Sequence, residues 1–320
     1  MRHTRRLFLP SSLAFLLLHL ASPAPARAWG PEGHEIVTRL AYARLSGSAR
    51  DALDSLLGIG PQATAQQRAR KLSDAANWAD SLRADPGTQK WKTWHHTYNW
   101  HFVDIPISRT PLRYDAAEDC EERADGYCLI RALDEQRAVL RDAGAPLDKR
   151  RNALRFILHL LGDLHQPLHG ANDNDRGGNG KLVCFFGFCW SQFGDKNLHS
   201  TWDGLIIRRV AADTDAHVAR LGQRLDAMSA GEVRDAQEGT PVAWAEDSNR
   251  AARASAYRLP AAFVWKTNPL KKNPVSRKYY VIDENNDYYE KSVPVVDEQL
   301  VKGALRMQSY LDDALAGLDF

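Results

Sequence analysis

The sequence predicts a mainly α-helical protein that folds as a single compact domain with short β-hairpin pieces. Most segments of the 320-residue chain repeat apolar residues at helical spacing, and strand candidates are few. No Pro-, Gly- or Ser-rich linker divides the chain, so nothing marks a boundary between two domains.

Residues 1–28 have the features of an export signal, and we expect the domain to span residues 29–320. Three arginines precede the apolar stretch LFLPSSLAFLLLHLA, and the pattern Ala26-Arg27-Ala28 predicts cleavage before Trp29. The stretch TRRLFL partly resembles a twin-arginine signal, so the general and twin-arginine export routes both stay open. The apolar run is too short and interrupted for a membrane span. We therefore expect a periplasmic or secreted protein without stable membrane association.

Helical period recurs in order along the mature chain. The first segment places Ile36, Val37 and Leu40 on one face, the second ends at Gly58, and the third is amphipathic and ends before Pro86. The predicted helices lie at 33–45, 46–58, 64–85, 149–170, 197–210, 242–257 and 294–315.

The segment at 149–170 differs from the others because it begins polar, becomes almost wholly apolar and stops near Pro167. An interior helix of a compact bundle has this composition. The two strand candidates are KLVCFFGFCW at 181–190 and KYYVID at 278–283. Irregular regions remain at roughly 85–130 and 170–197.

The charge balance excludes a broad cationic surface. The chain has 42 Lys and Arg against 40 Asp and Glu, and four of the arginines lie within residues 1–28. The mature chain is therefore slightly acidic, which argues against clamping of duplex DNA by a basic surface. A polyanionic ligand would have to be met locally, for example by metal ions.

Four cysteines, Cys120, Cys128, Cys184 and Cys189, predict disulfide bonds in an exported chain. Their spacing favours two short loops, Cys120–Cys128 and Cys184–Cys189, although three connectivities stay open. A zinc site made of cysteines alone is less in keeping with an oxidising compartment.

Histidine and aspartate recur at i, i+4 in two predicted helices. His159 with Asp163, and His199 with Asp203, would each share a helix face, and His169 follows shortly after the first pair. A single such pair is as often a hydrogen bond or salt bridge in a core. Two pairs together with His169 favour a metal site, and imidazole with carboxylate suits Zn²⁺.

Two upstream stretches add further candidates. NWADSLR offers Asp80 with Arg83 one turn further on, and NWHFVD offers His101 and Asp104. Each is a weak signal alone, because a helical Asp is usually solvated and a His beside Trp100 is often packed in a core.

Seven stretches span nearly the whole mature chain, in the order WGPEGH, NWADSLR, WHFVD, LRFILHLLGDLHQPLH, GGNG, NLHSTWD and YYEKSVPVVDEQLVKGALRM. In this order they resemble the family of trinuclear-zinc, single-strand-specific nucleases, the 3′-nucleotidase or type I nucleases of fungi, plants and bacteria. Their combination is specific, although each stretch alone is not. The resemblance implies one mostly helical domain with the fold of zinc-dependent phospholipases C and nucleases.

The resemblance also implies three Zn²⁺ ions. Trp29 would bind through its α-amino nitrogen and its carbonyl oxygen after cleavage. The implied ligand sets are Asp80, His101, His159 and Asp163 for the first zinc; His169, His199 and Asp203 for the second; and Trp29, His34 and Asp163 for the third. Four histidines are left as structural or surface residues, namely His95, His96, His165 and His217.

The activity implied is endonucleolytic cleavage of single-stranded RNA and DNA to 5′-phosphorylated products, with 3′-nucleotidase activity, in what we expect to be a monomer. Zinc ions in such a site activate water and neutralise phosphate. Arg83 would support the phosphate, since its planar guanidinium matches phosphate oxygens. Asp104 would orient the water, contact a base or support His101. Phe102 would stack on a base. The alternatives are a surface charge for Arg83 and core packing for Phe102.

One insertion departs from the fungal pattern. KLVCFFGFCWSQFGDK separates GGNG from NLHSTWD, and Cys184 and Cys189 bracket an aromatic tip of Phe185, Phe186 and Phe188. We hypothesise a disulfide-closed hairpin that contacts nucleotides, the alternative being aromatic side chains that pack inward. Leu205 stands where some relatives have a polar residue, which leaves base contacts there in doubt.

Two other functions fit parts of the pattern. A zinc phospholipase C also has a Trp-initiated trinuclear site, but the run from NWADSLR to LRFILHLLGD matches the nucleases better. A periplasmic protein that stores or senses zinc would have closed four-ligand sites, whereas the second predicted site has three protein ligands and leaves room for water.

Overall fold

The computed structural model of the protein describes residues 29–211 and 213–318. It is mainly helical, which confirms the predicted fold class, and the predicted export signal lies outside the described residues. The α-helices are α1 Pro31–Tyr42, α2 Gly47–Leu57, α3 Ala65–Ala76, α4 Gln89–Trp94, α5 Ala116–Asp119, α6 Leu129–Arg141, α7 Leu147–Asp163, α8 Leu198–Ser200, α9 Ile206–Val210, α10 Thr214–Asp226, α11 Ala230–Gln237, α12 Pro241–Ala251 and α13 Tyr288–Ala314.

Helix α7 forms the centre of the molecule because its C-terminal half is apolar on every side. Leu154, Ile157, Leu158 and Leu161 are fully buried. The helix packs against α6, α1, α13 and α3, so the two polar side chains in its last turns are carried into the interior. Truncating one of these leucines to alanine would cost about 2–5 kcal/mol.

The long helix predicted at 64–85 is wrong in its second half. Helix α3 ends at Ala76, and the chain tightens to i→i+3 bonds such as Trp78 N to Ala75 O at 3.3 Å. The Asn77 side-chain amide donates to the Ser73 carbonyl at 2.9 Å and competes with the helical pattern. A 3₁₀ turn, Asp80–Leu82, follows and faces Asp80 inward.

The last helix begins earlier than predicted. Helix α13 starts at Tyr288 and continues through Pro294, whereas the sequence pattern had its start at that proline. Pro294 and Glu290 are both exposed, so water can satisfy the Glu290 carbonyl that loses its helical partner. Helices α4, α5, α6, α10 and α11 were not predicted, and the first two lie in the region expected to be irregular.

Two short helices and two π-helical turns complete the C-terminal half. The segment predicted at 197–210 divides into α8, a π-helical turn at Thr201–Leu205 and α9. A second π-helical turn, Ala252–Ala256, follows α12. Such turns widen the helix by one residue and often occur at functional sites.

The strands form two small sheets. They are β1 Val183–Phe185, β2 Trp190–Ser191, β3 Gly194–Asp195, β4 Phe263–Thr267 and β5 Ser276–Ile282. In the first sheet β5 pairs in parallel with β1 and antiparallel with β4, and in the second β2 and β3 form a hairpin. The candidate at 181–190 therefore supplies a parallel strand, and β4 was not predicted.

Disulfide bonds join Cys120 to Cys128 and Cys184 to Cys189, the two short loops that the spacing favours. Over the described residues, no helix has the length and apolar character needed to cross a membrane.

Candidate metal centre

The first group of donors lies where α7 meets the end of α3 and the segment after α4. His101 Nδ1 lies 2.9 Å from His159 Nε2 and 3.1 Å from Asp163 Oδ2. Asp80 Oδ1 lies 3.8 Å from each of the two imidazole nitrogens. The four side chains predicted as one ligand set are thus brought together.

The second group joins the turn after α7 to helix α8 and the π-helical turn. His169 Nε2 lies 3.0 Å from His199 Nε2, and His199 Nε2 lies 3.5 Å from Asp203 Oδ1. The other nitrogen of each ring faces a backbone carbonyl: His169 Nδ1 lies 2.5 Å from His101 O, and His199 Nδ1 lies 2.6 Å from Gly177 O. These three donors therefore converge.

Gly177 is required by this arrangement. Its φ is +60°, and a Cβ there would lie 2.6 Å from the Leu168 carbonyl oxygen. A larger residue would displace the loop whose carbonyl orients His199.

The third group is formed by α1 against the end of α7. His34 Nε2 lies 3.2 Å from Asp163 Oδ1, and the His34 and His159 rings stack with centroids 3.9 Å apart. Gly162 permits this approach, because a Cβ at that position would lie 2.6 Å from His34 Nδ1. Asp163 faces both His34 and the first group, as expected for a residue between two metal positions.

The hydrogen-bond pattern fits bound cations. A neutral imidazole has one N–H donor and one lone pair. Donation from Nδ1 to backbone carbonyls by His169 and His199 leaves two Nε2 lone pairs facing each other at 3.0 Å. His159 Nδ1 likewise lies 2.7 Å from Ala76 O, so its Nε2 faces the first group. Burial opposes protonation of this ring, but Asp163 raises its pKa to about 9, and a bound ion would displace that proton. Facing lone pairs repel unless a positive ion lies between them.

Unpartnered buried atoms support the same conclusion. Among the described residues, His34 Nδ1 and Asp80 Oδ1 are buried without a hydrogen-bond partner, and the 3.2 Å contact between His34 Nε2 and Asp163 Oδ1 lacks hydrogen-bond geometry. Such atoms are costly unless they bind an ion or water. Three groups of side chains could each hold a metal ion: His34, His159 and Asp163; Asp80, His101 and His159; and His169, His199 and Asp203.

The electrostatics also match ion binding. Burial lowers the pKa of His101 to about 4 and lowers the pKa of His34, which keeps their lone pairs available. Burial raises the pKa of Asp203 well above its usual range, although Gln166 opposes the shift. A positive ion would offset this desolvation and keep Asp203 ionised.

Gln166 is a functional candidate that the sequence reasoning missed. Its side chain is buried, Nε2 donates to Asp203 Oδ1 at 2.6 Å, and Oε1 accepts from Leu168 N at 2.6 Å. The amide therefore orients Asp203 toward the two histidines. Its only sequence signal is its position between His165 and His169, in a turn that the apolar helix carries into the core.

Trp29 lies beside the third group. Its side chain is fully buried, and the next residue, Gly30, donates its backbone N–H to Asp203 O at 2.6 Å. A Cβ at Gly33 would lie 2.7 Å from Trp29 Cβ, so α1 packs closely on this tryptophan. The start of the described chain is thereby fixed near both His34 and the π-helical turn.

A cavity of about 460 Å³ opens beside the second group. The Arg83 guanidinium lies in its wall, where Nη2 donates to Tyr98 O at 3.2 Å and the group stands 5.1 Å from the centre of the Tyr98 ring. Burial raises the pKa of Asp104 to about 6. The residues of the wall include Arg83, Tyr98, Phe102, Asp104, Gly177 and His199. The three predicted substrate residues therefore share one cavity with a metal-ligand candidate.

The four histidines set aside in the sequence lie outside the three donor groups. His165 is fully buried and its Nδ1 lies 2.7 Å from Leu161 O, and burial lowers the pKa of its ring to about 3. His217 pairs with Asp297 at 3.7 Å.

The aromatic tip between Cys184 and Cys189 does not line this cavity. Phe185 and Phe186 pack on Tyr289 with ring centroids 6.0 and 5.5 Å apart, and Arg209 covers the Phe186 ring. Two of the three tip side chains thus follow the inward-packing alternative.

The fold and the site together define a class: a mainly helical protein with three buried groups of histidine and aspartate that could hold metal ions, one of which borders a cavity. Comparison with known proteins gives the family. The model of S1/P1 nucleases matches residues 29–316, and the chain belongs to that family. It is 26% identical to nuclease S1 of Aspergillus oryzae over 95% of this chain and 98% of the fungal protein. It is 25% identical to nuclease P1 of Penicillium citrinum over 89% and 97% of the two chains, and to endonuclease 2 of Arabidopsis thaliana over 89% of each.

The family match confirms two predictions made from the seven stretches: the family itself, and the class of enzyme, a nuclease. It decides against the phospholipase C and zinc-storage alternatives.

Proposed function

We propose that this chain is a zinc-dependent nuclease that cleaves single-stranded RNA and DNA to 5′-phosphorylated products and also acts on 3′-nucleotides. The observation that carries the proposal is the pair His169 and His199, whose Nε2 lone pairs face each other at 3.0 Å beside a cavity that contains Arg83. The donor set of imidazole and carboxylate suits zinc.

Three zinc ions would be held by the ligand sets that the family resemblance implies. The three donor groups in the structure support that number. The contacts of Asp163 with His34 at 3.2 Å and with His101 at 3.1 Å support its proposed role as a ligand of two ions. When bound, zinc supplies Lewis acidity that neutralises phosphate charge and makes a bound water acidic near neutral pH.

The chain's own residues orient and position the reaction. The carbonyls of Ala76, His101 and Gly177 accept hydrogen bonds from imidazole rings and fix the ligand nitrogens. Arg83 is held by Tyr98, and its planar guanidinium has the geometry to contact a phosphate oxygen. Asp104, with its pKa near 6, can orient water or a base through a hydrogen bond.

Single-strand preference follows from the depth of the donors. His159, His169, His199 and Asp163 are buried, and His199 lines the cavity, so we infer that a phosphate approaches the donors from the cavity. A stacked duplex holds its bases away from such a recess. An unpaired nucleotide can enter it and place its base on Phe102.

Export and maturation complete the proposal. We infer cleavage after Ala28, which would free the α-amino group of Trp29 as a ligand of the third zinc beside His34. The family match begins at Trp29, and the two disulfides accord with an oxidising compartment. We expect the mature protein to be a monomer that is either periplasmic or secreted.

The test is an assay of mature protein on single-stranded and double-stranded DNA of the same sequence. We expect faster cleavage of the single strand, loss of activity after chelation, and recovery with added zinc. Arg83→Gln removes the arginine in the cavity wall. Arg155→Gln, which removes an arginine of α7 outside the cavity, is its matched control. Failure of zinc to restore cleavage in a folded protein would contradict the proposal.

A further inference from the structure

Phe193 is the most exposed of the large hydrophobic residues that the structure describes, at 80%. It lies in the two-residue turn of the β2–β3 hairpin. The same residue lines the cavity that also contains His199, Arg83 and Phe102. An aromatic ring exposed inside a cavity is available for a base to stack on.

Two cations from the β4–β5 hairpin, Lys271 and Arg277, line the same cavity as Phe193. Both face Asp195 of β3: Lys271 Nζ lies 2.5 Å and Arg277 Nη1 lies 3.7 Å from Asp195 Oδ2. Two cations against one carboxylate leave positive charge at this wall. Among the described residues, none of the three makes a hydrogen bond or ion pair with the metal donors, so this wall lies beyond the metal centre.

Buried, hydrogen-bonded residues support this wall. Asp195 has a side chain only 5% exposed, and it accepts hydrogen bonds at 2.8 Å from both Asn268 Nδ2 and the Tyr279 hydroxyl. Tyr279 is fully buried against the Cys184–Cys189 disulfide. The disulfide-closed segment therefore supports the hairpin that carries Phe193, although its own tip packs elsewhere.

We propose that Phe193, Lys271 and Arg277 form a second nucleotide subsite for a single strand whose scissile phosphate lies at the metal centre. The base of a neighbouring nucleotide stacks on Phe193, and its phosphate contacts Lys271 and Arg277. An aromatic face with flanking cations is the combination that binds single-stranded nucleic acid without sequence preference. The inference rests on the proposed function, since it extends the same cavity.

The subsite makes a prediction that separates long from short substrates. A single-stranded oligoadenylate would occupy it, whereas 3′-AMP fills the metal-centre position alone. Phe193→Ala is expected to raise KM for the oligonucleotide about tenfold, because stacking on one aromatic ring is lost. The kcat/KM for 3′-AMP should stay within about twofold of wild type.

Phe188→Ala is the matched control, because Phe188 is 44% exposed on the same segment and does not line the cavity. Its KM values should be unchanged, and Phe193→Tyr should behave as wild type. Arg277→Gln should make the dependence of log Kd on log salt concentration less steep, by the amount that corresponds to about one lost phosphate contact. Equal loss on both substrates, or no loss on either, would overturn the subsite.

Binding keeps this test independent of cleavage. Fluorescence anisotropy with a labelled phosphorothioate oligoadenylate and zinc-loaded protein should show Kd about tenfold higher for Phe193→Ala than for Phe188→Ala. A wild-type protein that binds the oligonucleotide but does not cleave DNA contradicts the proposed function alone. Wild-type protein that fails to bind it, or equal Kd values for the two variants, contradicts the subsite.

Discussion

At the residue scale, the decisive feature is the orientation of imidazole rings by backbone carbonyls. His159, His169 and His199 each direct one nitrogen to a carbonyl and the other to a shared point. The i, i+4 spacing in the sequence predicts that histidine and aspartate share a face. It cannot predict which nitrogen faces inward, because the carbonyl partners come from segments distant in the chain. Gln166 was missed for the same reason.

Trp29 gives the sharpest prediction at this scale. Adding one methionine before Trp29 turns its amine into an amide, whose nitrogen lone pair is delocalised and does not bind zinc. We expect kcat/KM on single-stranded DNA to fall at least tenfold and the zinc content to fall by one ion per chain. Kinetics and mass-spectrometric metal analysis measure the two effects.

Proteolytic removal of the added methionine is the control and should restore both values. A fully active, fully loaded Met–Trp29 form would show that the amine is not a ligand.

At the element scale, α7 performs two tasks. Its apolar surface forms the centre of the core, and its last turn presents His159 and Asp163 to donors from α1 and from the end of α3. The sequence predicted this helix from its composition. It did not predict that α3 stops at Ala76, because that end depends on Asn77 and on a contact between the Ala76 carbonyl and His159.

The close approach of α1 to α7 can be tested at Gly162. Gly162→Ala places a methyl group 2.6 Å from His34 Nδ1, so His34 must move. We expect zinc affinity and cleavage to fall at least tenfold, while circular dichroism still reports a helical fold.

Gly222→Ala in α10 is the matched control, since the nearest atom to its new methyl lies at an ordinary 3.8 Å. This substitution should leave zinc binding intact and stabilise the protein by about 1 kcal/mol, as alanine does in a helix interior. If the two variants bind zinc and cleave the substrate equally well, the close approach at Gly162 is not needed to position His34.

The strands show where sequence patterns are weakest. The pairing of β1 with β5 joins residues about a hundred positions apart, and no local pattern specifies a parallel partner. Strand β4 is mostly exposed and lacks the alternation of a half-buried strand, which explains why it was not predicted.

At the scale of the whole molecule, an ion-pair cluster ties α12 to α13. Asp247 lies 2.7 Å from Arg306, 2.8 Å from Arg250 and 3.6 Å from Lys302. Burial opposes ionisation of Asp247, but these cations lower the pKa of its carboxyl to about 2. A depressed pKa stabilises the fold above about pH 4, the ordinary Asp value, and this contribution is lost as the pH falls toward 2.

Asp247→Asn should therefore lower the free energy of unfolding by about 2 kcal/mol at pH 6 and by much less near pH 2. Urea denaturation at the two pH values measures the difference between variant and wild type. Asp51→Asn, which replaces an exposed carboxylate of α2, is the control and should leave the free energy of unfolding at pH 6 close to that of the wild type. If the free energy of unfolding differs between the wild type and Asp247→Asn by the same amount at both pH values, the cluster does not have this role.

The central claim is that converging histidine and aspartate donors hold zinc for catalysis. Mass spectrometry under native conditions on the mature protein, which begins at Trp29, measures the ions bound per chain alongside cleavage of single-stranded DNA. The account predicts three zinc ions in the wild type, and His199→Ala should lose one ion together with most of the activity. A folded, active wild-type protein without bound zinc, or a His199→Ala protein with full zinc and full activity, would contradict it.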